Sequence, residues 1–207
     1  LALDQWEVIA DMAERQGFTP FIDIAYQGLG DGLEADAAGL RLLVSRLPEV
    51  IIAASCSKNM GLYRERAGLA MFVCRDETSA RAVVSQALVA ARGIYSMPPA
   101  HGPLLAGRVL ADEALAQSWR TELAAMCDRI NGLRRELRQK LEAGSGRDFG
   151  FIERENGMFS FLGLSVEQVL RLRSEFSIYM LDSSRINVAG VNARNIDYLA
   201  QSVAGVL

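Results

Sequence analysis

At 207 residues the chain is long enough to bury a real core, as one large or two modest domains. Hydrophobic residues make up 50% and charged ones 23%, the balance of a soluble globular protein. With 22 Lys and Arg against 25 Asp and Glu the net charge is −3, so no basic face offers itself to nucleic acid, and no apolar stretch is long enough to span a membrane. Cys56, Cys74 and Cys127 lack metal-ligand spacing and form an odd set, as in a reducing compartment, so a cytoplasmic location is expected. No signal peptide is visible, and the start at Leu1 without a methionine suggests a fragment or a processed product.

In chain order, Asp4 is expected to cap a helix carrying Trp6, Ile9, Ala10 and Ala13, stopped by Gly17. Pro20 leads into Phe21–Ala25, a short strand whose composition predicts burial. A helix near Leu33–Leu47 follows, with Leu40, Leu43, Val44 and Leu47 as its stripe and Pro48 as its end. Strands are expected at Val50–Ala54 and Ala67–Cys74, then a helix near Thr78–Ala91. This alternation predicts a layered α/β domain. Ser96–Pro103 is strong punctuation. Beyond it Leu115, Trp119, Leu123, Met126, Ile130, Leu133, Leu137 and Leu141 recur every three or four residues, which predicts one amphipathic helix about 45 Å long. The remainder offers short strands at Phe149–Ile152, Met158–Phe161, Ile178–Leu181 and Arg185–Val188. Two helices are expected there, capped by Ser165 (with Gln168 completing a capping box) and by Asn192. The expected organisation is a domain over 1–108 and a smaller α+β domain over 109–207, entered through the long helix.

Several residues carry possible chemistry. Lys58 follows the apolar run Val50–Ala54, stands beside Ser55 and Ser57, and precedes Arg66 by eight residues. An amine so placed can form a Schiff base with an aldehyde cofactor. Two hydroxyls and a guanidinium fork match a phosphate. Asp23 is the one acid in an apolar strand, where a cation such as a protonated pyridine nitrogen would offset the cost of burial. Tyr26 lies just past that strand. Each has a plainer reading: Asp23 as a turn acid, Tyr26 as a packed aromatic, Lys58 as a solvated loop lysine, Arg66 as a surface ion pair. His101, between prolines and glycines, is read as structural.

The segments Asp23-Ile24-Ala25-Tyr26-Gln27-Gly28, Ser55-Cys56-Ser57-Lys58-Asn59 through Gly68, Tyr95–Gly102, Asn156–Phe161 and Ser184–Gly190 together resemble the pyridoxal-phosphate aminotransferases of the aspartate/aromatic class. The resemblance covers essentially the whole chain. It implies the α/β fold type I, here as the C-terminal part of the large cofactor domain plus the small α+β domain. It also implies a homodimer, pyridoxal 5′-phosphate as cofactor, and amino acid and 2-oxo acid substrates such as 2-oxoglutarate. By the same resemblance Lys58 would carry the cofactor and shuttle a proton, Asp23 would pair with the pyridine nitrogen and Tyr26 with the 3-oxygen. Ser55, Ser57 and Arg66 would hold the phosphate. Arg185 would clamp the substrate α-carboxylate, Arg92 would reach the side-chain carboxylate of a dicarboxylic substrate across a dimer interface, and Phe159 would line the substrate pocket.

Departures accompany the match. Cys56 stands where relatives commonly have an aromatic residue, and Ile94 and Met97 differ from the usual polar neighbours of Tyr95. The Asn-Pro-(Thr/Ser)-Gly motif of the family is absent, so Leu1 corresponds to a point just past it, and exposed strand edges, aggregation and little activity are expected of this chain alone. Two other readings stand beside transamination. One is an inactive fragment serving as an interaction piece. The other takes Ser55-x-x-Lys58 as the motif of acyl-transferring serine enzymes, whose companion Ser-Asp-Asn and Lys-Thr-Gly motifs do not occur here.

Overall fold

A computed structural model describes residues 1–207. In chain order the elements are α1 (Leu3–Gln16), β1 (Phe21–Ile24), α2 (Leu33–Asp36), α3 (Ala38–Arg46), β2 (Val50–Ser55), β3 (Gly68–Val73), α4 (Glu77–Ile94), α5 (His101–Ala111) and α6 (Glu113–Ser145). There follow α7 (Phe151–Arg154), β4 (Phe159–Phe161), α8 (Val166–Phe176), β5 (Arg185–Asn187), a 3-10 turn (Val188–Gly190) and α9 (Ile196–Val206). No helix is long and apolar enough to cross a membrane. The chain divides into two compact units, Leu1–Gly28 with Gly32–Leu123 and Leu29–Asp31 with Ala124–Leu207. The division thus falls inside α6, whereas residue 108 lies within α5. The first turns of α6 belong to the first unit because the Trp119 indole N–H donates to the Asn59 carbonyl at 2.8 Å.

In the first unit β1, β2 and β3 form a sheet in that order. β1 runs parallel to β2, with Ile24 opposite Ala54, and β3 runs antiparallel, with Gly68 opposite Ser55. One face is covered: Ala10 and Ala13 of α1 and Leu43 of α3 pack on Ile22, Val50 and Ile52. These helices come close because residue 39 lacks a side chain; a Cβ there would lie 2.3 Å from the Trp6 ring. Gly17 closes α1 in a left-handed conformation, as expected. The cap of α1 is Ala2 rather than Asp4, which instead stands in its first turn. The helix expected over 33–47 is two, α2 and α3, broken at Ala37.

The opposite face of the sheet corrects the expected burial of β1. Phe21 is 68% exposed and Asp23 is exposed, because alternation turns both away from the helix-covered face that buries Ile22. β3 is exposed at every position but Val73, which is half-buried, and α4 buries no residue. Asp76 caps α4 by accepting the Ser79 N–H at 2.7 Å.

In the second unit Leu137 and Leu141 of α6 pack with Ile152, Val169, Leu172 and Val203. β4 and β5 form a two-stranded antiparallel sheet, with Phe159 opposite Asn187 and Phe161 opposite Arg185. Residues 149–152 are not a strand: the Asp148 carboxylate accepts the Gly150 N–H at 2.7 Å and turns the chain into α7. Residues 178–181 are not a strand either, since β4 and β5 pair only with each other. The Ser165–Gln168 capping box forms as expected. α9 begins at Ile196 with Asn195 as its cap residue, while Asn192 holds the preceding turn by accepting the Arg194 N–H.

Candidate active site

Strand direction gathers the polar residues of the first unit. β1 and β2 are parallel neighbours, so the residues that follow them, Tyr26 on one side and Ser57 and Lys58 on the other, leave the sheet at one end. β3 is antiparallel, so the residue that precedes it by two, Arg66, arrives at the same end. The carboxyl ends of parallel strands are where open α/β sheets place their ligands. The chain therefore brings Tyr26, Ser55, Ser57, Lys58 and Arg66 to one rim.

The Lys58 ammonium lies 4.8 Å from the centre of the Tyr26 ring, within the range of a cation–π contact. Ser57 is buried, and its backbone N–H donates to the Ser55 hydroxyl at 3.1 Å, so the serines form a tight turn ahead of Lys58. Arg66 is exposed and donates to the Tyr63 carbonyl at 2.7 Å. Its φ of 53° is a left-handed backbone that costs a residue with a side chain roughly 1–2 kcal/mol. Asp23 is one residue short of the end of β1, on the exposed face, opposite Ala53. Burial pushes the Cys56 thiol up, so it stays protonated at neutral pH.

Several supporting residues escaped the sequence reading. Asn59 donates through its side-chain amide to the Gln27 carbonyl at 3.2 Å, tying the turn after β2 to the loop after β1. Its own carbonyl receives Trp119, and its side-chain oxygen is buried without a partner. The Asp36 carboxylate accepts the Gly28 N–H at 2.7 Å. Trp119 sat on the predicted stripe of the long helix, but periodicity does not show that an indole N–H will seek a carbonyl.

In the second unit Arg185 and Phe159 meet. The guanidinium carbon lies 4.7 Å from the ring centre, and both residues edge an apolar cavity of about 680 Å³ walled by Tyr179, Leu181, Tyr198 and Leu199. Ser184, immediately before Arg185, is buried with φ 60°, and its hydroxyl accepts the Gly163 N–H at 3.1 Å. In the first unit, Arg92 is exposed in the last turn of α4. His101 is the first residue of α5.

The family model "Aminotransferase class I and II" matches residues 1–203. The chain is 47% identical over 207 residues to an aromatic-amino-acid aminotransferase of Paracoccus denitrificans, covering 100% of this chain and 52% of that protein. It is 44% identical over 206 residues to an aspartate aminotransferase of Escherichia coli (strain K12), covering 99% of this chain and 52% of that protein. Among solved structures, an aromatic-amino-acid aminotransferase from Burkholderia pseudomallei, covalently bound to pyridoxal phosphate, superposes with a TM-score of 0.97 at 42% identity, over 100% of this chain and 52% of that one. The chain spans about half the length of these relatives.

Proposed function

The chain belongs to the aminotransferases of class I and II, and on that premise we propose that it supplies the lysine-bearing part of an enzyme moving an amino group between an aspartate or aromatic amino acid and a 2-oxo acid. The observation that carries this reading is the rim at one end of the sheet, where Lys58 rests over Tyr26 in a turn begun by Ser55 and Ser57. The first unit then represents the C-terminal part of a cofactor domain, and the second the small domain. Homodimerisation, 2-oxoglutarate as acceptor and a cytoplasmic location belong to the same reading.

The residues fit pyridoxal phosphate in chemical type. A half-buried amine is present, and its ammonium rests over an aromatic ring. Hydroxyls and a guanidinium, the donors a phosphate needs, reach the same rim. When bound, the cofactor supplies an aldehyde that condenses with amines and a ring that takes up the electron pair left by a departing α-proton. Lys58 would be the residue that holds the cofactor, and its free amine would hold and return the proton of the substrate α-carbon. Tyr26 would donate its phenol O–H to the 3-oxygen. Asp23 would pair with the pyridine nitrogen, and Ser55, Ser57 and Arg66 would bind the phosphate. Arg185 binds the α-carboxylate as a bidentate fork, steadied by the Phe159 ring. Arg92 recognises the second carboxylate of a dicarboxylic substrate.

The test is chemical trapping. Incubation with pyridoxal phosphate followed by borohydride should leave the cofactor mass on the peptide containing Lys58, and Lys58→Ala should remove it. A folded protein that stays unlabelled at Lys58 would sink the assignment.

A further inference from the structure

The most deeply buried charge in the protein is Arg134, 1% exposed, on the stripe of α6 between Ile130 and Leu137. A buried guanidinium needs acceptors for its donors; Arg134 finds them for both Nη groups in one short segment, while its Nε is buried without a partner. Nη1 donates to the Ile152 carbonyl at 2.8 Å; Nη2 donates to the carbonyls of Gly157 at 2.8 Å and Phe159 at 2.7 Å. The Glu155 carboxylate lies 3.4 Å from Nη1 and also accepts the Ser160 hydroxyl. Burial lowers the Arg134 pKa from an arginine's ordinary value, and the charge of Glu155 opposes that shift.

This fork holds α7, at Ile152, and the first residue of β4 together, and that first residue is Phe159, whose ring lies against the Arg185 guanidinium. The β4–β5 sheet is only three residue pairs long, too short to fix its own geometry. Ser184 secures the β5 side through Gly163, and Arg134 secures the β4 side. We propose that Arg134 is a positioning residue for carboxylate recognition: by clamping the Gly157 and Phe159 carbonyls it keeps the Phe159 ring against Arg185, so that the Arg185 fork is already oriented when a substrate carboxylate arrives. This rests on the reading of Arg185 as the carboxylate anchor. A preoriented fork loses less freedom on binding, which appears as affinity. A lysine cannot replace Arg134, since a single ammonium nitrogen does not span three carbonyls from separate positions.

The test uses the full chain and nuclear magnetic resonance of the Arg185 side chain. The Phe159 ring current shifts the Arg185 signals upfield, and Phe159→Leu identifies that shift. Two variants are compared: Arg134→Lys, and the double change Arg134→Met with Glu155→Gln, which removes the buried charge and its partner together. In each, the upfield shift should fall by at least about half, and the affinity for succinate, titrated on the Arg185 signal, should weaken by about tenfold. A folded variant that keeps the wild-type shift overturns the proposal, as does loss of the shift with unchanged affinity. Unfolding of both variants also overturns it, because Arg134 is then a framework residue only. Arg185→Lys, with succinate binding followed by calorimetry, separates the premise: if that change leaves succinate binding intact, the anchor reading itself fails and the proposal falls with it.

Discussion

Lys58 and Tyr26 leave the sheet from neighbouring parallel strands, and the ammonium of one rests 4.8 Å from the ring centre of the other. The contact follows from topology: Ile24 is opposite Ala54, so the residues just beyond each strand share a rim. The ring is a face for the amine, and the phenol remains a separate polar handle. Tyr26→Phe separates the two. It should leave folding and cofactor trapping at Lys58 intact while transamination by the complete enzyme falls roughly tenfold to a hundredfold, the size of one hydrogen bond to a charged group. Steady-state rates equal to wild type would show that the phenol takes no part.

The 207-residue polypeptide by itself is expected to turn over little or no substrate. It spans 52% of its relatives, and β3 and α4 leave apolar side chains such as Leu69, Phe72 and Leu88 exposed. An assay with pyridoxal phosphate, an amino acid and 2-oxoglutarate decides the point. Robust turnover by this chain alone contradicts the expectation.

Gly39→Ala should destabilise the first unit. The added Cβ would lie 2.3 Å from the Trp6 ring, so α1 must shift away from α3 or the indole must leave its place. Overpacking of this kind costs about 1–3 kcal/mol, readable as a lower urea midpoint with the slope retained. An unchanged midpoint would mean that the two helices are not pressed together as described.

Acid should loosen the start of α4 before the rest of the helix. The Ser79 N–H holds the Asp76 carboxyl below the usual carboxylate range. A depressed folded pKa means that the cap's contribution is complete above the unfolded carboxylate pKa and is lost as pH falls through the folded value. Hydrogen exchange at the Ser79 amide should therefore accelerate, relative to its intrinsic rate, over that acidic window. Asp76→Asn keeps an acceptor but does not titrate, so the pH dependence should vanish in that variant. Its persistence would assign the effect to another group.

The long helix shows how much the sequence carries and where it stops. Its stripe predicted α6 well, because burial of one face every three or four residues is a local property of the chain. Arg134 lies on that stripe, four residues after Ile130 and three before Leu137, so its burial was open to inference; its carbonyl partners were not, since they lie 18 to 25 residues further along the chain, from α7 to β4. The same limit applies to Trp119 and Asn59, which are 60 residues apart.

At the candidate site the residue types and their order are legible in the chain alone: an amine between hydroxyls after an apolar strand, an acid and a phenol around an earlier one, an arginine ahead of a third. That order was specific enough to indicate the family, which the comparisons establish. Tertiary structure decided which of them meet. Parallel pairing of β1 with β2 and antiparallel pairing of β3 bring five of those residues to one rim. It also decided exposure, turning Asp23 and Phe21 out of the core although their neighbours are apolar. The physical reason is that a strand's composition says only that one face is sticky. Which face is covered depends on where α1 and α3 pack, and that is a property of the folded chain rather than of any segment in it.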